Sequence, residues 1–278
     1  MLELYHFPLS RCSRKVRMVL AEKEIPYKSH VINLWTYEQM QPEYLRINPK
    51  GLVPVLVHDG KVIVESDNIG IYIDEHFPGK KRLIPADPEA AERMHYFIDL
   101  QNKYPRGELT QGNLKNRGLM GRFLRRFYWG KIAFVEEKLK TNPAEFKEWY
   151  EHKLEELKKF EATVADPVAQ AELLKKVEGT LDEVEAQLAT STWLCDEMFT
   201  LADISWLSVL DRLAEVRLES LWTGGRRPNI EKYLARLRAR PSFRKSYTQW
   251  MPATGLCMVQ AALADVKRGI LPAQFRTV

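Results

Sequence analysis

The stretch VPVLVHDGKVIVES, residues 53–66, constrains the fold more than any other part of the chain. Two apolar, β-branched runs, VPVLV and KVIVE, are joined through His58, Asp59 and Gly60. An Asp-Gly pair between such runs marks a hairpin, because a type I′ turn needs positive φ at both central positions. Upstream, LELYHF (2–7) alternates and reads as a strand, and HVINL (30–34) reads as a short second one. Between them, Val16, Val19 and Leu20 recur at i, i+3, i+4 and predict a helix over 13–24. After the hairpin, Ser66 can cap a helix carrying Ile69, Ile73 and Phe77. Strand, helix, strand, a longer connection, hairpin, helix: this order predicts an α/β unit over residues 1–78, with both parallel and antiparallel pairing.

The pattern then changes. PGKKRLIPADP (78–88) carries three prolines and three basic residues, so residues 79–89 read as a linker. Beyond it the residues give helix periods only. Leu174, Val177, Leu181, Val184 and Leu188 share one face over 173–188. FTLADISWLSVLDRLAEV (199–216) opens with Thr200 and has Asp203 three residues on, the capping-box spacing. Ile230 to Arg240 predicts another short helix, stopped by Pro241. Residues 90–278 are therefore expected to be all-α.

Composition excludes several function classes. The 278 residues carry a net charge of +5, with 45% hydrophobic and 28% charged residues, an ordinary balance for a protein with a sizeable core. The charge is too small to argue for nucleic acid, and no zinc-finger spacing supports it. The three cysteines, Cys12, Cys195 and Cys257, are few and far apart, which points to a reducing compartment rather than a disulfide framework. Charges at Glu3, Arg11, Arg14, Lys15 and Arg17 leave no apolar run of the kind a secretory signal needs. The long uncharged run Ser246–Ala264 is interrupted by Pro252, Gly255 and several polar residues, which makes it a poor membrane span. A soluble, cytoplasmic protein is expected, without a metal.

Three places carry chemistry. Ser10, Arg11, Cys12 and Ser13 lie where the first strand gives way to the first helix. A helix N-terminus lowers the pKa of a cysteine thiol and favours a thiolate brought in by a ligand. Ser10 could donate its hydroxyl proton to such a sulfur. Lowering a thiol pKa by about two units takes about 2.7 kcal/mol, within reach of one charge-assisted hydrogen bond plus a helix end. Val53-Pro54 starts a strand run, and a cis bond there would leave the Val53 N–H and C=O able to pair with an extended peptide. Glu65-Ser66 places a carboxylate beside a helix-start hydroxyl, which suits the amine and carboxylate of an amino acid. Each place has a plainer reading: a helix cap at Ser10 or Ser13, a packing cysteine at Cys12, a trans edge proline at Pro54, and a strand end with a cap at Glu65-Ser66. Their order within one α/β unit makes the case for a site that holds a short peptide with a thiol in its middle.

With these motifs in place, the sequence resembles the glutathione transferase superfamily, whose members join a thioredoxin-like N-terminal domain to an all-helical one. The likeness rests on LYHFPLSRCSRKVRMVLAEKEI, NPKGLVPVLVHDGKVIVESDNI and FTLADISWLSVLDRL. It implies glutathione as cosubstrate, a cis Pro54, backbone pairing of Val53 with the cysteinyl unit, and Glu65 and Ser66 at the γ-glutamyl group. It also implies Lys50 near the glycyl end, a homodimer, and no nucleic-acid partner. S-R-C-S-R-K-V-R is similar to the zeta-class motif S-S-C-S-W-R-V-R. It is also similar to the S-x-C-S of the tetrachlorohydroquinone reductive dehalogenases, which have near counterparts of GRRPNIEKYLARLRARPSF and DPVAQAELLKKV as well. That likeness implies Ser10 as activator of glutathione and Cys12 as resolving thiol. The β-aryl-ether-cleaving transferases place their serine nearer Ser13, so the choice between Ser10 and Ser13 is open.

What the resemblance implies is a glutathione-dependent enzyme acting on an electrophilic, aromatic small molecule, of the kind met in detoxification and aromatic degradation. Reductive dehalogenation, ether cleavage and zeta-like isomerisation are the alternatives. The electrophile is expected in a cleft between the domains, with Tyr96, Tyr104 and Trp206 as candidate lining residues; all three read equally as core aromatics. A non-enzymatic relative, the ganglioside-induced differentiation-associated protein, has a similar insertion in its helical domain. Here 109–135 holds Lys115, Arg117, Arg122, Arg125, Arg126 and Lys131 with no acid, interleaved with Phe123, Phe127, Tyr128 and Trp129. A membrane-surface segment or scaffold on the same fold is the alternative of another class; a solvated basic helix is the plainer account.

Overall fold

The computed structural model describes residues 1–103, 106–114, 118–141 and 144–267. The described residues divide into two compact units, one built from residues 1–76 with residues 241–267, the other within 77–240. In the first unit β1 (Leu2–His6), α1 (Arg11–Glu22), β2 (Lys28–Val31), α2 (Pro42–Leu45), β3 (Val55–His58), β4 (Lys61–Val64) and α3 (Ser66–His76) follow in order. One mixed sheet has strand order β2-β1-β3-β4. β1 runs parallel to β2, with Leu4 opposite Ser29, and antiparallel to β3, with Leu4 opposite Leu56. β3 and β4 form the expected hairpin, and its two turn residues, Asp59 and Gly60, take φ of 48° and 85°. That is the double positive φ the Asp-Gly pair predicts.

Alternation along β1 puts Leu2, Leu4 and His6 inside, where α1 and α3 pack together and bury Val16, Val19, Leu20, Ile69 and Ile73. Helix α1 starts at Arg11, earlier than the apolar period suggests, because Ser10 caps it. Strand β2 stops short of the expected 30–34. Asn33 closes a turn there, its Oδ1 accepting from Trp35 N at 3.1 Å and its carbonyl accepting from Thr36 N at 3.2 Å.

The chain from Pro241 was expected in the helical domain; it packs instead on the first unit, as α11 (Pro241–Ser246) and α12 (Met251–Lys267). The reason lies in α1, which buries Arg14 and Arg17. Buried guanidiniums need acceptors and aromatic faces. The Ser246 carbonyl accepts from Arg17 Nε at 2.9 Å, the Trp250 ring lies 5.0 Å from the Arg17 guanidinium, and the Tyr247 ring lies 4.8 Å from that of Arg14. Asn33 Nδ2 adds bonds to the Cys257 carbonyl and Gln260 Oε1.

The second unit holds α4 (Pro88–Asn102), α5 (Arg106–Leu114), α6 (Gly118–Thr141), α7 (Lys147–Ala165), α8 (Pro167–Leu188), α9 (Leu201–Glu215) and α10 (Pro228–Arg238). Helix α9 is its axis: every residue from Leu201 to Asp211 is buried. The capping box forms as the spacing predicts, with the Asp203 carboxylate accepting from Thr200 N at 2.7 Å. Within the 109–135 insertion, α6 runs through the basic stretch. Lys115 and Arg117, and the side chains at 122, 123, 125 and 127–129, lie outside the described residues. No described helix is long and apolar enough to cross a membrane.

Candidate functional site

The first element of the site is the N-terminus of α1. Ser10 is its cap, half-buried, with its hydroxyl oxygen accepting from Ser13 N at a long 3.3 Å. The residue three on is a serine rather than an acid, so nothing reaches back to close the box. Ser13 has no exposed surface, and its Oγ accepts from Phe7 N at 3.3 Å. Of the two hydroxyls, then, Ser10 reaches solvent and Ser13 is committed to the loop that precedes the helix. Cys12 is half-buried in the first turn, and its thiol is in no disulfide.

The loop 7–10 that delivers Ser10 is held from beneath. Arg17 donates to the Phe7 carbonyl at 3.2 Å, to the Pro8 carbonyl at 2.8 Å, and to His6 Nδ1 at 2.9 Å. A guanidinium can only donate, so His6 Nδ1 is the acceptor and its Nε2–H donates to Ser29 Oγ at 2.8 Å. His6 is therefore neutral: burial first, then Arg17 and His30, push its pKa down to about 3. Burial, opposed by nearby Tyr27, pushes Arg17 down to about 9, still charged at neutral pH. The sequence showed Arg17 only as a charge; nothing local marked it as the clamp of this loop.

The second element is the loop into β3. Val53–Pro54 is cis. Asn48, buried, accepts from Lys50 N at 3.1 Å and donates to the Leu52 carbonyl at 2.8 Å, which also receives the Tyr44 hydroxyl at 2.7 Å. Gly51 takes φ 62°, which glycine adopts without strain. These bonds fix the chain up to Leu52; among the described residues no hydrogen bond reaches the Val53 N–H or C=O. Asn48, Tyr44 and Gly51 are supports the motif reading did not single out, although the Asn-Pro-x-Gly turn is visible in the sequence.

The third element is the start of α3. Glu65 takes φ 65°, a left-handed conformation that costs a residue with a side chain of order 1 kcal/mol or more, and its carbonyl accepts from Ile69 N at 2.9 Å. Ser66 follows as the first helical residue, nearly buried. Lys50, expected at the other end of a bound tripeptide, donates to Glu65 Oε1 at 2.6 Å. The pair is well exposed, so it is a surface interaction that a ligand can replace. Together the elements offer a hydroxyl at a helix N-terminus, backbone groups at Val53 that no described residue bonds, and a carboxylate beside a second helix start. That set fits a tripeptide with a thiol in its middle.

The aromatic candidates separate. Trp206 has no exposed surface and its indole N–H donates to the Phe97 carbonyl at 2.9 Å, so in this structure it is a core residue of the second unit. Tyr96 is 51% exposed and its hydroxyl bonds the Glu183 carboxylate. Tyr104 lies outside the described residues.

Comparison with known proteins decides the family. The family model for the glutathione S-transferase N-terminal domain matches residues 4–81, and that for the C-terminal domain matches 140–241. The chain belongs to the glutathione transferase family of enzymes. It is 29% identical to glutathione S-transferase TCHQD of Arabidopsis thaliana, covering 88% of each chain. It is 28% identical to the tetrachloro-p-hydroquinone reductive dehalogenase of Sphingobium chlorophenolicum, covering 86% of this chain and 93% of that one. Among solved structures, the β-etherase LigF of Sphingobium sp. strain SYK-6 shares the fold, with a TM-score of 0.72 at 24% identity over 89% of this transferase and 99% of that chain.

Proposed function

We propose that this transferase binds glutathione across Val53, Glu65 and Ser66, and that Ser10 stabilises its thiolate for attack on an electrophilic carbon of an aromatic small molecule. The observation that carries the assignment is the contrast between the two hydroxyls: Ser10 is half-exposed with a weakly used oxygen, while Ser13 is buried and engaged by Phe7. The Ser10 O–H donates to the glutathione sulfur, and the N-terminal dipole of α1 favours the anion. The sulfur lone pair forms the C–S bond, and the leaving group departs with the electrons of its own bond. The exposed Lys50–Glu65 pair opens as the γ-glutamyl amine takes the Glu65 carboxylate.

A second reading adds a reductive step, favoured by the half-buried thiol of Cys12, which is in no disulfide and lies two residues after Ser10. The Cys12 thiolate attacks the sulfur of the glutathionyl conjugate. The C–S bond breaks, the ring carbon keeps the electron pair and takes a proton, and a mixed disulfide is left on Cys12. A second glutathione thiolate then releases oxidised glutathione and restores Cys12. The reductive dehalogenase named above is a relative for which such an outcome is named.

The test is direct. Retention on immobilised glutathione and turnover of a chlorinated aromatic are expected of the parent protein, and Glu65→Gln or Ser66→Ala should weaken glutathione by about 1.5 to 3 kcal/mol by calorimetry. Unchanged affinity in both variants would overturn the γ-glutamyl site. For the second reading, mass spectrometry after turnover of a halogenated hydroquinone should find glutathione on Cys12, and Cys12→Ser should stop at the conjugate.

A further inference from the structure

Lys15 is a buried cation that neither reading uses. Its side chain is 4% exposed, and its ammonium contacts the Asp67 carboxylate, which is itself largely covered. Taking both charges out of water costs several kcal/mol per ion before their attraction offsets it, so the pair is a poor way merely to tie α1 to α3.

Its position suggests a better reason. Lys15 stands three residues after Cys12, on the same face of α1 one turn along. Asp67 follows Ser66 directly, in the first turn of α3. The ammonium is thus set between the turn that bears the thiol and the helix start read above as the γ-glutamyl site. The charged groups acting on it are Asp67 from α3 and, from its own helix, the Cys12 thiol and the Arg11 guanidinium. Toward α11 and the turn after it, α1 presents Arg14 and Arg17, which engage the Tyr247 and Trp250 rings and the Ser246 carbonyl.

We propose that Lys15 is a positioning residue for Cys12: its ammonium holds the thiol toward the thiolate form, and Asp67 sets how much of that field reaches the sulfur. The step is a deprotonation in which the Cys12 proton passes to solvent and the sulfur keeps the electron pair beside the ammonium. Coupled sites act on each other equally, so a Cys12 charge that stabilises charged Lys15 is stabilised by it in turn. Burial pulls the Lys15 pKa below its ordinary value, while Asp67 and Cys12 push it back up. The inference rests on the reading of Cys12 as a working thiol, and its test is arranged to be independent of glutathione.

The rate of Cys12 alkylation by iodoacetamide is followed against pH in the full chain without glutathione, with the modified cysteine identified by peptide mass spectrometry. Cys195 and Cys257 are buried and serve as internal controls. Lys15→Met removes the cation and leaves the Asp67 carboxylate without its ammonium, so the midpoint should rise by about one unit or more. Asp67→Asn frees the ammonium's field for the sulfur, so the midpoint should fall. Lys15→Arg should keep the parent midpoint within a few tenths of a unit, because the charge is retained. Opposite shifts in the first two variants support the inference, because simple loosening of the α1–α3 contact would move both in one direction. An unchanged midpoint in Lys15→Met, or shifts of the same sign, overturns it. If Lys15→Met does not fold, Asp67→Asn decides alone: a fall supports, and a rise or no change overturns. Calorimetry of glutathione against Ser66→Ala, run separately, reports on the glutathione site, so either idea can fail without the other.

Discussion

Helices α1 and α9 begin with the same device and end up in different trades. Each opens on a hydroxyl residue in extended backbone, Ser10 and Thr200. At Thr200 the cap is closed. Asp203 accepts from Thr200 N at 2.7 Å, from Thr200 Oγ1 at 3.1 Å, from Leu194 N at 3.0 Å and from the Tyr233 hydroxyl at 2.7 Å, and both cap residues are fully buried. At Ser10 the corresponding position is Ser13, which turns away to Phe7 N and leaves the cap half-exposed with its hydroxyl proton available. A saturated cap can only hold the fold together. An open one keeps a donor and a helix dipole pointed outward, and with no acid in the first turn of α1 nothing there repels an incoming anion.

The largest effect should come from the closed cap. Asp203→Ala orphans Leu194 N, Thr200 N and the Tyr233 hydroxyl in the core of the second unit. About 3 to 5 kcal/mol of stability should be lost, read from the urea midpoint. Glutathione affinity of whatever remains folded should be unaltered. A loss below about 1 kcal/mol would mean that the saturated cap is not structural.

The open cap should respond the other way round. Ser10→Ala should lower kcat by roughly 10²-fold, about 2.7 kcal/mol, as removal of a preorganised donor does. Its cost in stability should be about 1 kcal/mol or less, since the bond to Ser13 N is long and partly solvated. The pKa of enzyme-bound glutathione, followed by thiolate absorbance, should rise in step with the lost rate. Equal rates in parent and variant would remove Ser10 from the chemistry.

What the sequence made legible divides along the same line. The hairpin, the capping box at Thr200 and Asp203, and the start of α3 at Ser66 are specified by residues within a few positions of one another. Local pattern was enough for them. The site's underpinning was not legible, because Arg17 meets the Ser246 carbonyl 229 residues away. No period within α1 announces that its arginines face inward, toward a C-terminal segment with suitable rings. The same long reach moved the chain from Pro241 out of the expected helical domain. Both serines satisfy the cap pattern in the sequence, and only the path of Phe7 shows that Ser10 is the cap of α1 while Ser13 is buried against Phe7 N.

That underpinning makes a pH prediction. His6 is buried and neutral, with a folded pKa of about 3 against about 6.5 in the unfolded chain. Between those values the unfolded state binds more protons than the folded one. The contribution of His6 is therefore fully present above about pH 6.5 and is lost as pH falls toward 3, by at most about 1.4 kcal/mol per pH unit. Urea midpoints at pH 7 and pH 5 should fall together with pH more steeply in the parent than in His6→Gln, which keeps a donor and an acceptor but does not titrate. Equal slopes would show that His6 is protonated in the fold after all.

Ser13 decides whether the cap is open, and its replacement should have little effect on catalysis. Ser13→Ala removes the acceptor of Phe7 N and leaves a buried N–H without its partner, which should cost about 1 kcal/mol, up to about 3 if no water reaches it. The backbone N–H of residue 13 is retained, so the bond to Ser10 Oγ survives. The Ser10 hydroxyl still faces outward on a capped helix, so the bound-glutathione pKa should stay within a few tenths of a unit and kcat should change by no more than about threefold. The two quantities are read from the same preparations used for Ser10→Ala. If Ser13→Ala instead gives the larger pKa rise, the thiolate sits against Ser13. The loop 7–10 must then rearrange on binding to uncover a residue that is sealed in this structure. In that case the difference between α1 and α9 lies in how readily each cap opens rather than in which acid it lacks.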